Sequence, residues 1–324
     1  MARFNDYTPN GVIPAALLAF DDDFSIHETE TRRHLSHVAD VAGITAITVN
    51  GHSSEVHSCT FDEQARLLDI AGDEVGDRVP LINGIYADGS LEAARLARMA
   101  EAGGASALLC FPPHSMRKGG VRHRPEMALT HFKIIAAATD LPLIVFQYGD
   151  ELAYSLDTLV DLVEEIPTVQ AVKDWSPAQD HERHIRVLQS LPRPVNVLST
   201  NSAWLMSSLV MGANGLLSGA GSVIADLQVA LFDAVQADNL AGAKALAERI
   251  WHTSQVFYSD PFADMHNRMK EALVLLGRQE RAVVRPPLVK LSATEVARIA
   301  EALDAASLRT AGASGLQAPR AAAE

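Results

Sequence analysis

Cysteine, basic residues and long apolar runs are all scarce in this chain of 324 residues. The two cysteines, Cys59 and Cys110, lie far apart and form no C-x-x-C pair, which excludes a disulfide framework and a cysteine zinc site. No apolar run approaches the length of about 18 residues that a membrane span needs, and the N-terminus lacks the layout of a signal peptide. We therefore expect a reduced, soluble, cytoplasmic protein with no membrane partner.

Charge and hydropathy narrow the class of protein further. The 40 Asp and Glu residues outnumber the 27 Lys and Arg residues, which gives a formal net charge of −13. Such a charge argues against a nucleic-acid partner, because nucleic acid is itself strongly negative. The apolar share of 48% is ample for a sizeable core. The composition predicts a globular protein without a nucleic-acid partner.

Short apolar runs recur about 20 to 35 residues apart, each followed by a segment of helical period. Both faces of each run are apolar, as in parallel strands that are buried on both sides. The eight runs are 11–20, 44–50, 79–86, 107–112, 141–148, 169–175, 195–200 and 215–219. This alternation predicts an α/β fold, a (β/α)8 TIM barrel. A doubly wound open sheet is the alternative, but no G-x-G-x-x-G follows the first run to support it.

The spacing also predicts where helices and domains begin. Ser25-x-x-Glu28 and Thr60-x-x-Glu63 fit the capping box of a helix start. After the eighth unit the pattern becomes purely helical, and the last stretch is small and polar. We divide the chain into a barrel carrying the active site at 1–235, a C-terminal helical segment at 236–310 and a flexible tail at 311–324.

One lysine interrupts the sixth apolar run, VQAVKDW. By the two-residue period of a strand, Lys173 shares a face with Val169 and Ala171, and Asp174 points the other way. If the first face is the barrel interior, burial without a paired carboxylate lowers the pKa of Lys173. Such a lysine can attack a carbonyl carbon to form a Schiff base. A strand-end lysine that extends to solvent is the alternative.

Several short motifs then fall in the order and spacing of a known family. The stretch NGHSSE at 50–55, followed by TFDE at 60–63, resembles the G-[TS]-[TS]-G-E loop and L-[TS]-x-E-E helix start of the dihydrodipicolinate synthase and N-acetylneuraminate lyase family. Three further stretches are similar to motifs of that family: GVIPAALLAF at 11–20, VKD at 172–174 and GANG at 212–215. The resemblance extends from residue 11 to about residue 235 and agrees with the predicted barrel.

The resemblance implies a lyase with class I aldolase chemistry. In the family a lysine, here Lys173, forms an imine with pyruvate or another 2-oxo acid. A protonated imine is an electron sink that permits aldol cleavage, condensation or dehydration, so no metal and no cofactor is expected. The partner substrate would be an aldehyde or a sugar-acid type compound, and the family also implies a homotetramer.

The same resemblance implies residues that bind substrate. Ser53 matches the hydroxyl residue that holds the substrate carboxylate, and Ser54 offers a second hydroxyl. Leu217 and Gly219 match the strand-eight backbone that lines the family's pocket. Ordinary turn chemistry is the alternative for both serines, and a phosphate cradle or a tight turn for Gly219.

The family's proton relay, however, is replaced at every position. Phe146 occupies the place of the strand-five tyrosine, His52 the place of a threonine, and His114 the place of a second tyrosine from the neighbouring subunit. Tyr148 lies two residues beyond Phe146 on the same strand face, so we predict that it is the displaced phenol. An aromatic residue that only packs, and exposed loop histidines, are the alternatives.

Glu151 falls where true dihydrodipicolinate synthases place an arginine for the second carboxylate. Because like charges repel, we predict a lyase that does not synthesise dihydrodipicolinate. A genuine 4-hydroxy-tetrahydrodipicolinate synthase, a non-catalytic 2-oxo-acid-binding barrel and a metal-dependent hydrolase are the alternatives. The histidine pairs His34 and His37, and His181 and His184, are interpreted as solvated helix faces rather than metal ligands.

Overall fold

The computed structural model describes residue 4, residues 6–200 and residues 202–309. Among these residues, eight parallel strands pair in the order β1-β8-β7-β6-β5-β4-β3-β2. Two isolated parallel bridges, Val12–Ile44 and Ala15–Thr48, bring the first strand beside the second, so the sheet curls into a nearly closed barrel. The predicted (β/α)8 TIM barrel is confirmed. The strands are β1 (Gly11–Pro14), β2 (Ile47–Val49), β3 (Leu81–Ile85), β4 (Ala107–Cys110), β5 (Leu143–Gln147), β6 (Val169–Asp174), β7 (Asn196–Ser199) and β8 (Gly215–Ser218).

Helices follow the strands and cover the outside of the barrel. Because both faces of each strand are covered, nearly every strand residue is buried, as the apolar runs predicted. The helices of the described chain are α1 (Glu28–Ala39), α2 (Phe61–Val75), α3 (Ser90–Ala102), α4 (Gly120–His123), α5 (Pro125–Ala136), α6 (Leu156–Glu165), α7 (Ala178–Leu188), α8 (Leu205–Val210), α9 (Gly221–Gln236), α10 (Leu240–Phe257), α11 (Met265–Leu275) and α12 (Ala293–Ala305).

The two predicted capping boxes have different outcomes. Thr60 and Glu63 form a complete box at the start of α2, with each side chain bonded to the other residue's backbone N–H. The box predicted for Ser25 is wrong, because α1 is capped by His27, whose side chain accepts from the backbone N–H of Glu30. The Ser25 hydroxyl instead donates to Asp23 at 2.6 Å within the preceding turn.

Helices α10 to α12 follow the eighth barrel unit. α10 packs on α9, and α11 packs on the short 3-10 turn that follows β2. The three-part division of the chain stays a prediction, and the proposed tail at 311–324 lies outside the described residues. None of the described helices is both long enough and apolar enough to cross a bilayer.

Candidate active site

A cavity of about 210 Å³ opens at the carboxyl ends of the strands, where barrel enzymes place their catalytic groups. Its lining comes from the ends of several strands and from the C-terminal helical segment. The residues that line it are Ala15, Gly51, His52, Ser53, Leu109, Phe146, Lys173, Trp175, Thr200, Ser202, Ala203, Gly219, Tyr258, Phe262 and Met265. Two residues predicted to bind substrate, Ser53 and Gly219, therefore meet the predicted lysine here, together with His52 and Phe146 from the positions of the family's proton relay.

Lys173 enters this cavity from β6 between Phe146 of β5 and Leu198 of β7. Its side chain is buried, and its Nζ lies 4.0 Å from the centre of the Phe146 ring. No described residue forms an ion pair or hydrogen bond with this Nζ. Because burial disfavours the charged ammonium, the pKa of Lys173 falls from 10.5 to about 7. A large fraction of the amine is thus unprotonated, and nucleophilic, near neutral pH.

Asp174, the next residue, points away from the cavity into a buried polar network. One carboxylate oxygen accepts from the Ser176 backbone N–H at 2.8 Å. The other lies 2.9 Å from His181 Nδ1 and 2.8 Å from His184 Nδ1. Burial raises the pKa of Asp174, but the hydrogen bonds to both histidines outweigh it and hold the pKa well below its ordinary range. The opposite orientations of Lys173 and Asp174 follow the predicted strand period.

The prediction that the paired histidines lie on solvated helix faces is wrong for three of the four. His181 and His184 are buried because α7 packs them against Asp174, and His181 Nε2 lies 2.6 Å from the Ser208 hydroxyl. His34 is also buried, and its Nε2 accepts from the Leu17 backbone N–H at 3.3 Å. In each case, the imidazole partners a polar group that faces away from the cavity. Within the described ranges, no three His, Cys, Asp or Glu side chains are grouped so as to hold a metal ion.

The turn that carries His52 and Ser53 is fixed at both ends by left-handed residues. Asn50 and Glu55 have φ values of 54° and 52°, a conformation that is uncommon for residues other than glycine. The Asn50 amide donates to Asn83 Oδ1 at 2.7 Å and to the Gln64 carbonyl at 2.9 Å. The buried carboxylate of Glu55 pairs with Lys270 of α11. These buried contacts hold the unfavourable backbone conformation and so fix the position of Ser53.

Ser53 lies against Gly219 at the end of β8. A Cβ placed on Gly219 would come within 2.6 Å of the Ser53 Oγ, so the close approach requires glycine. The Ser53 hydroxyl has no hydrogen-bond partner among the described residues and is free to bind a ligand. Beside it, the Tyr258 hydroxyl accepts from the Ala220 backbone N–H at 3.0 Å. Hydroxyls and backbone therefore concentrate at one end of the cavity.

Tyr148, immediately after β5, brings two histidines together. Its hydroxyl lies 3.0 Å from His52 Nε2 and 3.4 Å from His114 Nε2. Burial raises the pKa of Tyr148 far above its ordinary value, so the phenol keeps its proton. Burial, with further contributions from Lys173 and His114, lowers the pKa of His52 well below 6.5 and keeps the ring neutral. Of these three residues, His52 lines the cavity, and the Tyr148 hydroxyl reaches the cavity lining through His52.

Besides Tyr148 and His114, three residues considered from sequence lie outside the cavity lining. The Ser54 hydroxyl donates its hydrogen bond to the Ala16 carbonyl at 2.7 Å. This hydroxyl proton therefore stabilises the turn and is not available to a substrate. Leu217 is buried in β8 opposite Ile13 of β1. Glu151 is exposed after β5, so its carboxylate is not placed to repel a substrate inside the cavity. His114 meets Tyr148 within one chain, a contact that needs no second subunit.

Sequence reasoning missed the contribution of the C-terminal helical segment. Tyr258, Phe262 and Met265 come from the end of α10 and the start of α11, yet all three line the cavity. Trp175 and Thr200, just beyond β6 and β7, were also missed. Their place at the carboxyl ends of barrel strands was the available signal for these two. The cavity thus crosses the predicted boundary at residue 235.

A family model described as the dihydrodipicolinate synthetase family matches residues 8–306. The chain belongs to the dihydrodipicolinate synthetase family. The resemblance read from the motifs is confirmed, and it extends beyond the barrel into the C-terminal helices.

Curated relatives of the family support an enzyme. The chain is 28% identical to a 4-hydroxy-tetrahydrodipicolinate synthase of Moorella thermoacetica, over 90% of this chain and 96% of that protein. It is 29% identical to an uncharacterised DapA-like lyase of Halobacterium salinarum, over 78% of this chain and 81% of that protein. The protein is therefore a lyase of the dihydrodipicolinate synthetase family.

Solved structures of the family share the fold. Dihydrodipicolinate synthase of Aquifex aeolicus matches with a TM-score of 0.82 and 22% identity, over 93% of this chain and 99% of that chain. YagE of E. coli K12, a family member crystallised in complex with pyruvate, matches with a TM-score of 0.84 and 20% identity, over 93% and 99% of the two chains. At these identities, the likeness establishes the shared barrel.

Proposed function

We propose that the protein is a class I lyase in which Lys173 forms an imine with pyruvate or another 2-oxo acid. The observation that carries the proposal is the state of this lysine, buried in the cavity without an anionic partner and with its pKa lowered to about 7. A free amine is needed to attack the keto carbon, and the resulting protonated imine draws electrons from the neighbouring bonds. The family relative that was crystallised with pyruvate supports a 2-oxo acid as the first substrate.

The substrate carboxylate would bind at the hydroxyl-rich end of the cavity. Ser53 supplies an unoccupied hydroxyl, and Tyr258 and Ser202 line the same region. These neutral donors can hold a carboxylate without an ion pair, because the turn that carries Ser53 is already fixed before substrate arrives. A carboxylate bound there would orient the keto carbon of the 2-oxo acid relative to Lys173.

Proton transfer would pass through His52 and Tyr148. Carbinolamine dehydration and the making or breaking of a carbon–carbon bond both need a proton donor and acceptor. A neutral imidazole and a protonated phenol 3.0 Å apart can exchange such a proton, and His114 extends the chain of partners. In this arrangement, His52, at the position of the family's threonine, would be the relay residue that faces the cavity, and Tyr148 would be its phenol partner.

Reductive trapping with cyanoborohydride tests the imine directly. Incubation with pyruvate and cyanoborohydride should add one reduced pyruvyl group to the peptide that contains Lys173, detected by mass spectrometry. Lys173→Ala should lose the adduct, and Lys133→Ala should keep it, because Lys133 is exposed on α5. An adduct that persists in Lys173→Ala would assign the chemistry to another amine and overturn the proposal.

The relay has its own test. Tyr148→Phe should lower turnover by roughly 10²- to 10⁴-fold, the usual loss when a positioned proton donor is removed. The pyruvate adduct should still form on standing, since Lys173 is unchanged. Full turnover in Tyr148→Phe would exclude the phenol and leave His52 acting alone or through water.

Genuine 4-hydroxy-tetrahydrodipicolinate synthesis is the second candidate function. Relatives bearing that name favour it, and the exposed Glu151 does not obstruct it from inside the cavity. Condensation of pyruvate with aspartate semialdehyde at ordinary synthase rates would establish it. A protein that forms the adduct but turns over no aldehyde would be a 2-oxo-acid-binding barrel.

The homotetramer and the cytoplasmic location remain proposals. The tetramer is implied by the resemblance to the family, in which a subunit contact completes the relay. Light scattering should then report about four times the chain mass of 34.8 kDa. A monomer would contradict the tetramer but leave the Lys173 proposal standing, because the cavity is lined by one chain.

A further inference from the structure

Three aromatic side chains form a continuous wall on one side of the cavity. Phe262 stacks on Trp175 with ring centres 4.9 Å apart and planes 22° apart. On its other side, Phe262 stacks on Tyr258 with ring centres 5.9 Å and planes 28° apart. None of the three is fully buried, and all line the cavity. We call this row of rings, Trp175, Phe262 and Tyr258, the aromatic wall.

The remaining walls add apolar surface rather than charge. Leu109, Phe146 and Met265 line the cavity together with the aromatic wall. Among the described residues, no arginine, aspartate or glutamate lines it, and Lys173 is its one cationic side chain. In the proposed reaction, Lys173 is consumed as the imine. The positive charge of the protonated imine is balanced by the carboxylate of the 2-oxo acid, which occupies the hydroxyl donors beside Ser53. A second substrate with its own carboxylate or ammonium would therefore be desolvated with no counter-charge of its own, which is strongly unfavourable.

We propose that the second substrate is an uncharged aromatic aldehyde that lies flat against the aromatic wall. This inference rests on the proposed Lys173 imine and specifies the partner that the imine reacts with. Stacked rings favour another planar ring over a sugar chain, because hydroxyls placed there would lose their hydrogen bonds to water. The polar end of the cavity, where the 2-oxo acid would bind, adjoins this wall at Tyr258, whose hydroxyl lies beside Ser53.

The reaction balances with these two substrates alone. Lys173 and pyruvate form the imine and release one water, and loss of a methyl proton gives the enamine. The enamine carbon then attacks the aldehyde carbon, a carbon–carbon bond forms, and the aldehyde oxygen takes a proton. One water hydrolyses the imine, which frees Lys173 and releases an aryl-substituted hydroxy 2-oxo acid. No oxidant or reductant is needed, and the reverse sequence cleaves the same product.

A panel of aldehydes with pyruvate tests the proposal. Benzaldehyde should condense fastest, cyclohexanecarbaldehyde more slowly, and carboxybenzaldehyde, glyceraldehyde and aspartate semialdehyde slowest. Cyclohexanecarbaldehyde separates the need for a planar ring from apolarity, and carboxybenzaldehyde separates charge from shape. If glyceraldehyde or aspartate semialdehyde exceeds benzaldehyde in kcat/KM, or if the cyclohexane compound does, the aromatic proposal is overturned.

A variant of the wall gives an independent check. Phe262→Leu keeps an apolar side chain but removes the ring, and should lower kcat/KM for benzaldehyde roughly ten-fold. The rate of pyruvate adduct formation should not change. Trp251→Leu removes an exposed tryptophan on α10 outside this cavity, and should change neither value.

The two proposals fail in distinguishable ways. If the wild-type protein forms no pyruvate adduct, the imine proposal is overturned, whatever the rates with the aldehydes. A normal adduct with no preference for benzaldehyde, or a Phe262→Leu variant that keeps full kcat/KM for it, overturns the aromatic acceptor alone.

Discussion

Lys173 and Asp174 are neighbours in one buried strand, yet they have opposite surroundings. Asp174 faces the helices and is hydrogen-bonded to His181, His184 and Ser176. Lys173 faces the cavity and has no polar partner among the described residues, with only the Phe146 ring beneath its Nζ. Hydrogen-bond partners keep the buried Asp174 carboxylate charged by lowering its pKa, whereas burial without a partner lowers the pKa of Lys173 and so favours its neutral form. Both residues are buried, so the missing partner distinguishes the lysine that we propose to be reactive.

Lys173→Met should have the largest effect on activity and an opposite effect on stability. Removing the proposed nucleophile should lower kcat by at least about 10⁴-fold, since the imine proposed at Lys173 could no longer form. Methionine fills the space without burying an amine, so the free energy of unfolding should rise. Steady-state rates and urea denaturation would measure both. A destabilised Lys173→Met protein would show that the amine has a structural partner.

Asp174→Ala should affect mainly the stability of the fold. The substitution leaves two buried imidazoles and one backbone N–H without their acceptor, and should lower the free energy of unfolding by about 3–5 kcal/mol. Asp180→Ala, at an exposed position on α7, is the matched control and should be nearly neutral. Urea denaturation compares the three proteins. Equal losses in both variants would place the effect in α7 as a whole rather than in the buried network.

The pKa of Lys173 predicts a pH dependence with a definite sign. Imine formation should accelerate as pH rises through about 7, because the free amine attacks. Between pH 7 and 10.5 the unfolded chain binds a proton that the folded chain does not, so wild-type stability should rise with pH. The difference in free energy of unfolding between the wild type and Lys173→Met should therefore shrink between pH 7 and 10.5. An adduct rate that rises only in the ordinary lysine range would contradict the lowered pKa.

Phe146→Leu should give the smallest change. The ring below the Lys173 Nζ favours the charged ammonium by about 0.5–1 kcal/mol, so its removal should lower the Lys173 pKa by less than about one unit. The midpoint of the pH–adduct curve would then move to lower pH. Phe146→Tyr keeps the ring and should keep the midpoint, and an equal shift in both variants would point to packing instead.

The parts of the fold that follow local rules were predictable from the sequence. The strand period placed Lys173 and Asp174 on opposite faces, and the recurrence of buried runs indicated the barrel. The capping box at Thr60 was read from two residues on one helix turn. Each of these depends on neighbours in the chain, and the pattern of side chains carries that information directly.

Contacts between distant segments were not predictable in the same way. The sequence of α7 alone predicts that His181 and His184 lie on a solvated helix face. They are buried because both hydrogen-bond to Asp174 on the preceding strand. A buried aspartate in an apolar strand was a signal that it required hydrogen-bond donors. The approach of Tyr258 and Phe262 to the cavity depends on how α10 and α11 pack on the barrel, which no period encodes.

The buried pair of Glu55 and Lys270 has a consequence for cooperativity. It joins the turn after β2 to α11, and Glu55 also accepts from the Arg285 backbone N–H at 3.0 Å. A chain truncated after α9 would keep all eight strands, but the Glu55 carboxylate would lose the Lys270 ammonium that pairs with it. The turn that positions Ser53 would then lose its anchor. With Ser53 in its proposed role, substrate binding is thermodynamically coupled to docking of the C-terminal helices, and a ligand of the cavity should protect the amides of α11 from hydrogen exchange.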